Sequence, residues 1–216
     1  MSTRILIADD HRIIREGLHA LLSKQDTFVV VGEAEDGRKA VDLAARLRPD
    51  VVIMDLTMPG LNGIEATRQI IAANPGMKVI ALSIHSDRRF VRQMFEAGAT
   101  GYLLKEGAFE ELARAIRAVT DGKSFVSPGI AGVLIDDLVR RTAGRETPAG
   151  VRALSGREKE VLQLLAEGKS TKEIAAILGV GAKTVETHRR QIMLKLHLDS
   201  VAELTKYAIR EGLTSL

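Results

Sequence analysis

Val51-Val52-Ile53-Met54-Asp55, followed directly by Leu56-Thr57-Met58-Pro59-Gly60, is the stretch that decides the fold. Four apolar residues in a row, three of them β-branched, predict a strand buried on both faces, as in a parallel sheet. The run stops at a carboxylate, and Pro59-Gly60 breaks the strand soon after. Ligands of open parallel sheets bind beyond the carboxyl ends of the strands. Asp55 therefore stands where chemistry is expected. An Asp that only caps the next turn is the plainer alternative.

Upstream, Arg4-Ile5-Leu6-Ile7-Ala8 is a short strand ending in Asp9-Asp10. Ile14, Leu18, Leu21 and Leu22 then share one helical face. Phe28-Val29-Val30-Val31 is a second strand, and Ala40, Val41, Ala44 and Leu47 mark a helix stopped by Pro49. Downstream, helices over 64–71, 90–97 and 109–119 alternate with the strands Val79-Ile80-Ala81-Leu82 and Gly101-Tyr102-Leu103-Leu104. Five strands alternating with five helices predict an α/β doubly wound, five-stranded parallel sheet.

The strands end in a set of polar groups: Asp9 and Asp10, Asp55, Ser83 and Lys105. Carboxylates converging on one rim raise each other's pKa unless a cation intervenes. An all-oxygen site of this kind suits a hard divalent ion such as magnesium. A lysine and a hydroxyl beside it suit a phosphoryl group, with Asp55 as the nucleophile. Each residue has an ordinary alternative: Asp9 or Asp10 as a helix cap, Lys105 as a solvated lysine, Ser83 bonded to local backbone. The conjunction at successive strand ends favours the site.

Length and composition narrow the classes. The 216 residues suit one large or two small domains, and 45% hydrophobic content excludes a disordered chain. No apolar run approaches the roughly 20 residues that span a bilayer. The absence of cysteine excludes disulfide frameworks, thiolate-bound zinc and thiol catalysis. A cytoplasmic protein with no membrane partner is expected. Residues 1–122 carry 16 Lys+Arg against 17 Asp+Glu, a balance of −1. The remaining 94 carry 31 − 16 = 15 against 28 − 17 = 11, a balance of +4, which hints at a polyanionic partner for the second half.

Residues 122–151 are rich in Gly and Pro and are expected to link residues 1–121 to a second domain at 152–216, with one helix over 130–141 and a tether over 142–150. Ser155 and Glu158 form a capping box that starts a helix. A short helix follows from Ser170 or Thr171, then the tight turn Gly179-Val180-Gly181, then a longer helix over 182–196. That layout predicts an all-α helix-turn-helix domain. On the longer helix Val185, His188, Ile192 and Leu196 recur as a buried stripe, while Lys183, Glu186, Thr187 and Arg190 share another face with Arg189 at its flank. Cations that hold phosphates around side chains that reach base edges are the equipment of a recognition helix. A solvated face laced by a Glu186–Arg190 pair is the alternative.

Asp9-Asp10, Asp55 with Met58-Pro59, Ser83 and Gly101-Tyr102-Leu103-Leu104-Lys105 together resemble the flavodoxin-like receiver domain of bacterial two-component response regulators. The resemblance implies that Asp55 takes a phosphoryl group from a sensor histidine kinase. It implies a magnesium ion held by Asp10, Asp55 and the backbone carbonyl of Thr57, with Asp9 assisting through water. Ser83 and Lys105 would contact the phosphoryl oxygens, and Tyr102 falls at the switch aromatic. Ser83 stands where threonine is commoner, and Glu106 follows Lys105 where many receivers carry proline, which puts a cis peptide there in doubt.

Leu154-Ser155-Gly156-Arg157-Glu158, Lys172-Glu173-Ile174-Ala175, Lys183-Thr184-Val185 and His188-Arg189 resemble the LuxR-type DNA-binding domain. With the receiver they correspond to the NarL/FixJ class of response regulators. The class implies base contacts from Glu186, Thr187 and Arg190, with Lys183, Thr184 and Arg189 completing the DNA surface in the major groove of operator half-sites. It also implies a homodimer on phosphorylation. Gly181 departs from the pattern by lacking a capping hydroxyl. Glu186 suggests selection of a cytosine amino group. A magnesium-dependent phosphohydrolase is the rival reading, but Thr57 stands where such an enzyme keeps its second acid. No enzymatic turnover is expected.

Overall fold

The computed structural model describes residues 2–142 and 154–214. Of the tether expected over 142–150, Thr142 ends a helix and residues 143–150 lie outside the described ones. The described residues fall into two compact units, the first built mainly from residues before that segment and the second mainly from residues after it.

The first unit alternates β1 (Thr3–Ala8), α1 (Arg12–Leu22), β2 (Phe28–Ala34), α2 (Gly37–Leu47), β3 (Val51–Asp55), α3 (Gly63–Ala73), β4 (Lys78–Ser83), α4 (Arg88–Glu96), β5 (Gly101–Leu104), α5 (Ala108–Thr120), β6 (Phe125–Val126) and α6 (Pro128–Thr142). The strands lie in the order β2-β1-β3-β4-β5-β6, every neighbouring pair parallel. Strand alternation sends Ile5, Ile7, Val51, Ile53, Ile80, Leu82 and Leu103 to one face. There they pack on Leu18 and Leu22 of α1 and on Leu112, Ala115, Ile116 and Val119 of α5. The intervening Leu6, Val52, Met54, Val79 and Ala81 are equally buried, and α2 and α3 pack together on their side of the sheet. Each fully buried Ile or Leu contributes about 1.5–3 kcal/mol.

The sheet has six strands, one more than predicted. Residues 125–126 lie in the segment read as a link, yet Phe125 pairs with Gly101 and Val126 with Tyr102. Two residues are too short to show an alternating pattern, and the strand exists only because β5 offers an open edge. The helix within that segment is present and begins two residues earlier than expected, at Pro128, a favoured residue for a first helical turn.

Neither aspartate of the first pair caps α1. Its N-cap is His11, whose side chain makes no cap bond. Asp9 Oδ1 instead accepts the His11 amide at 2.9 Å. The peptide after Lys105 is trans, as every described peptide is.

The second unit holds α7 (Gly156–Ala166), α8 (Thr171–Leu178), α9 (Ala182–Leu196) and α10 (Val201–Arg210). Ser155, Ser170 and Ser200 each cap a helix through a complete capping box with Glu158, Glu173 and Glu203. Leu162, Ile174, Leu178, Val185, Ile192, Leu204 and Ala208 make its core. The buried stripe of α9 is narrower than predicted: Val185 and Ile192 are buried, while His188 and Leu196 are half-buried. Spacing marks which residues share a face but not how far the neighbouring helices cover it, and Leu196 packs at the margin of the core.

One ion pair ties α9 to α7. Lys195 Nζ lies 2.7 Å from Glu158 Oε2, and the Ser155 amide donates to the same oxygen at 2.7 Å. Burial alone would raise the Glu158 carboxyl, but Lys195 and the Ser155 bonds outweigh it and hold the carboxyl below its usual value of 4.5. A carboxyl depressed on folding lends stability above its unfolded pKa and loses it as pH falls through the folded one. Hydrogen exchange of the α7 and α9 amides, corrected for intrinsic rates, should therefore hold steady down to about pH 4.5 and accelerate below it. In Glu158→Gln, which keeps the cap but not the charge, that acid-induced step should be smaller.

Candidate functional site

The site follows from register. Met54 pairs with Ala8, Asp55 with Leu82, and Ser83 with Leu104. Asp9, Asp55, Ser83 and Lys105 therefore line the carboxyl edge of four adjacent strands. Chain order reverses between β1 and β3, so Asp9 and Asp55 flank the sheet's switch point, where such folds open a crevice.

Asp55 and Asp9 are buried, and Asp10 stands at the exposed rim. Lys105 reaches in to neutralise both buried groups, with Nζ 2.7 Å from Asp9 Oδ2 and 3.0 Å from Asp55 Oδ2. Burial raises the Asp55 carboxyl, the Asp9 charge raises it further, and Lys105 only partly offsets them, leaving it at about 6. For Lys105, burial acts downward but the two carboxylates win, so the ammonium is raised. One lysine thus serves two carboxylates, and a further cation would be stabilising.

The loop after Asp55 passes close behind it. A Cβ at Gly63 would sit 1.8 Å from the Asp55 carbonyl oxygen, so only glycine lets α3 start there. Thr57 lies in this loop, two residues beyond Asp55.

On the other flank, Ser83 is buried and its Oγ accepts the His85 amide at 2.9 Å. Tyr102 is wholly buried, its hydroxyl donating to the His85 carbonyl at 2.7 Å. Burial pushes this phenol up to about 12, against a lowering hydrogen bond with Ser83. Ser83 and Tyr102 therefore hold one loop between them. Ser127, just past β6, bonds back to β5: its amide donates to the Tyr102 carbonyl at 2.9 Å, and Leu104 N–H donates to its Oγ at 3.2 Å. The chain leaving the sheet is thereby stitched to the residues beside Lys105.

Sequence reasoning missed His11. Its Nδ1 lies 2.8 Å from Asp10 Oδ1 and 3.4 Å from Asp9 Oδ1. Asp9, Asp10, His11 and Asp55 each bring one donor atom to within 4.8 Å of the others. The available signal was an imidazole directly following two carboxylates at a strand end. Three carboxylates at the mouth of a crevice fit a hard divalent cation.

In the second unit, Lys183, Thr184, Glu186, Thr187 and Arg190 of α9 are exposed and Arg189 is half-buried. Among the described residues no ion pair joins Glu186 to Arg190, so the exposed face is not laced by the pair that spacing allowed. The Thr187 hydroxyl donates to the Lys183 carbonyl at 2.9 Å, which leaves its methyl and its acceptor capacity to the outside. Gly181 caps α9 without a side-chain bond.

Residues 5–117 match the response regulator receiver domain family, and residues 152–208 match the bacterial regulatory proteins of the luxR family. The oxygen regulatory protein NreC of Staphylococcus carnosus is 39% identical over 213 residues, covering 97% of this chain and 98% of that one. The transcriptional regulatory protein LiaR of Bacillus subtilis is 42% identical over 212 residues, covering 98% and 99%. Among solved structures, a LuxR-family two-component response regulator from Aurantimonas sp. SI85-9A1 superposes with a TM-score of 0.62 at 39% identity, covering 64% of this chain and 99% of that one. The response regulator RcsB in complex with DNA gives 0.60 at 30% identity, covering 96% and 98%. Receiver edge, recognition helix and relatives along nearly the whole chain agree: the protein belongs to the two-component response regulators that join a receiver domain to a LuxR-type helix-turn-helix domain.

Proposed function

We propose that phosphorylation of Asp55 by a sensor histidine kinase controls sequence-specific DNA binding, and so transcription, through α9. The observation that carries this reading is the Lys105 ammonium held between Asp9 and Asp55 at the strand edge, beside the Ser83 hydroxyl. The protein works in the cytoplasm as a transcription factor, with DNA and the kinase as partners, and forms a homodimer on half-sites when phosphorylated. The receiver spans 1–121 in function, and β6 with α6 begins the connection to the DNA-binding domain at 152–216.

A carboxylate oxygen of Asp55 attacks the phosphorus of a phosphohistidine. The O–P bond forms as the P–N bond breaks, the electron pair returning to the histidine ring. Magnesium, when bound, neutralises charge on the transferring phosphoryl group; Asp10, Asp55 and the Thr57 carbonyl would hold it, with Asp9 assisting through water. Lys105, already 3.0 Å from Asp55, pairs with a phosphoryl oxygen after transfer, and the Ser83 hydroxyl donates to another. When Ser83 turns to the phosphoryl group, the bond from the His85 amide to its Oγ and the seat of the Tyr102 hydroxyl change with it. Ser127 passes a shift of β5 on to β6 and α6. The chemistry is one transfer onto the protein's own side chain, so the chain is not an enzyme. Thr57, not a second acid, follows the acceptor.

On DNA, Glu186, Thr187 and Arg190 face base edges, and Lys183, Thr184 and Arg189 lie along the backbone.

Three outcomes test this reading. Beryllofluoride with magnesium, standing in for the phosphoryl group, should raise affinity for a selected DNA site about 5–150-fold at fixed salt, and Asp55→Asn should abolish the rise. A carboxyl raised on folding opposes stability as pH climbs through its folded pKa, so Asp55→Asn should stabilise the receiver by about 1–3 kcal/mol at pH 7 and by less at pH 5 in urea titrations. Selection from a randomised DNA pool should show preference lost at one base pair in Glu186→Ala, and an unchanged preference would remove Glu186 from base reading.

A further inference from the structure

We infer that His11 is a nitrogen ligand of the acidic pocket, biasing it away from magnesium toward transition-series divalent metals such as zinc or manganese. The inference rests on the reading of that pocket as a cation site and adds a specificity-determining residue to it. The loop that carries His11 is fixed. Arg15 Nη1 donates to the Asp9 carbonyl at 2.6 Å and to the Asp10 carbonyl at 3.2 Å, and the His11 amide is held on Asp9 Oδ1. The imidazole is 65% exposed, so no packing prevents it from turning about its own torsions. Its Nδ1 already points at the two carboxylates, 2.8 Å from Asp10 Oδ1 and 3.4 Å from Asp9 Oδ1.

Donors on one ion with bonds of about 2.0–2.2 Å lie within about 4.4 Å of one another. The four donor atoms here lie within 4.8 Å, so a small closure brings them to one centre. Magnesium takes oxygens and waters, and imidazole suits zinc, copper, iron and nickel. Manganese sits with the oxygen-binding ions but starts the transition-metal affinity series for mixed nitrogen and oxygen sites, so it can report a nitrogen ligand. The other nitrogen at the site, Lys105 Nζ, is an ammonium without a lone pair to give. A nitrogen bonded to a metal here would therefore be that of His11.

Manganese alone, added to the full-length chain, is the probe. Electron spin echo modulation of the bound ion should show coupling to a directly bonded nitrogen in the wild type and none in His11→Ala. Removing His11 should weaken manganese by at least about tenfold, since losing even the outer-shell partner of a ligand typically costs about 10–100-fold, and should leave magnesium affinity nearly unchanged. Manganese bound by the wild type without nitrogen coupling, or coupling that persists in His11→Ala, would overturn the inference while the carboxylate pocket stands. If neither metal binds the wild type, or if Asp55→Asn binds both with unchanged affinity, the cation-site reading itself falls.

Discussion

The receiver depends on an electrostatic mismatch at its sheet edge. Two buried carboxylates, Asp9 and Asp55, share one ammonium at 2.7 and 3.0 Å. Removing Lys105 would leave both acids in a poorly solvated crevice without their cation, and the Asp55 carboxyl would rise further. With Lys105 present the balance is still incomplete, because Asp55 stays raised to about 6. A hydrophobic sheet edge of the same shape would be more stable. The unresolved charge is what prepares the pocket for a divalent cation and for a dianionic phosphoryl group. Stability is spent here on readiness, a common arrangement at functional sites.

The surrounding fold converts that local imbalance into something the rest of the chain can respond to. Ser83 and Tyr102 both bond to the backbone of His85, so a hydroxyl that leaves its seat to meet a phosphoryl oxygen disturbs an aromatic residue buried in the core. Tyr102 belongs to β5, whose outer edge is taken by β6. Ser127 adds a side-chain bond to Leu104 and a main-chain bond to Tyr102. Packed interiors shift between discrete arrangements and do not deform smoothly. In the proposed mechanism, a change of less than a side chain's length at the pocket would reach the start of α6 along these bonds. In the DNA-binding unit the complementary design is rigidity: three capping boxes and the Glu158–Lys195 pair fix the frame that presents α9.

Much of this was legible in the sequence because the signals were strong and local. Val51 to Asp55 is apolar on both faces and then stops at an acid, which fixes a buried strand and the position of its reactive end together. The same logic placed Asp9, Ser83 and Lys105. The Ser155–Glu158 box carries its structural meaning in four residues, whereas the boxes at Ser170 and Ser200 emerged only in the structure. What escaped depends on tertiary context. Two residues cannot announce β6, which forms only because an edge is free. Gly63 reads as one glycine among many until the backbone of Asp55 is found 1.8 Å from where its Cβ would be. His11 was passed over because a lone histidine at a helix start is ordinary; its proximity to both aspartates is a product of the loop's fold.

The same contrast separates the two functional surfaces. The pocket is specified by convergence, with side chains from three strand ends meeting within a few ångströms, so its chemistry follows from geometry. The face of α9 is specified by exposure. Lys183, Glu186, Thr187 and Arg190 point outward and are bound to little but their own helix. Their identities therefore report on a partner and not on the fold. An exposed carboxylate among cations carries a cost near DNA phosphates, since it repels the backbone it approaches. If Glu186 faces a base edge, as proposed, that cost would be offset only where a donor on the base meets it, so Glu186 would lower affinity for DNA in general more than for a site with cytosine at the matching position. On this argument a residue that looks unfavourable for DNA binding would act through discrimination between sites.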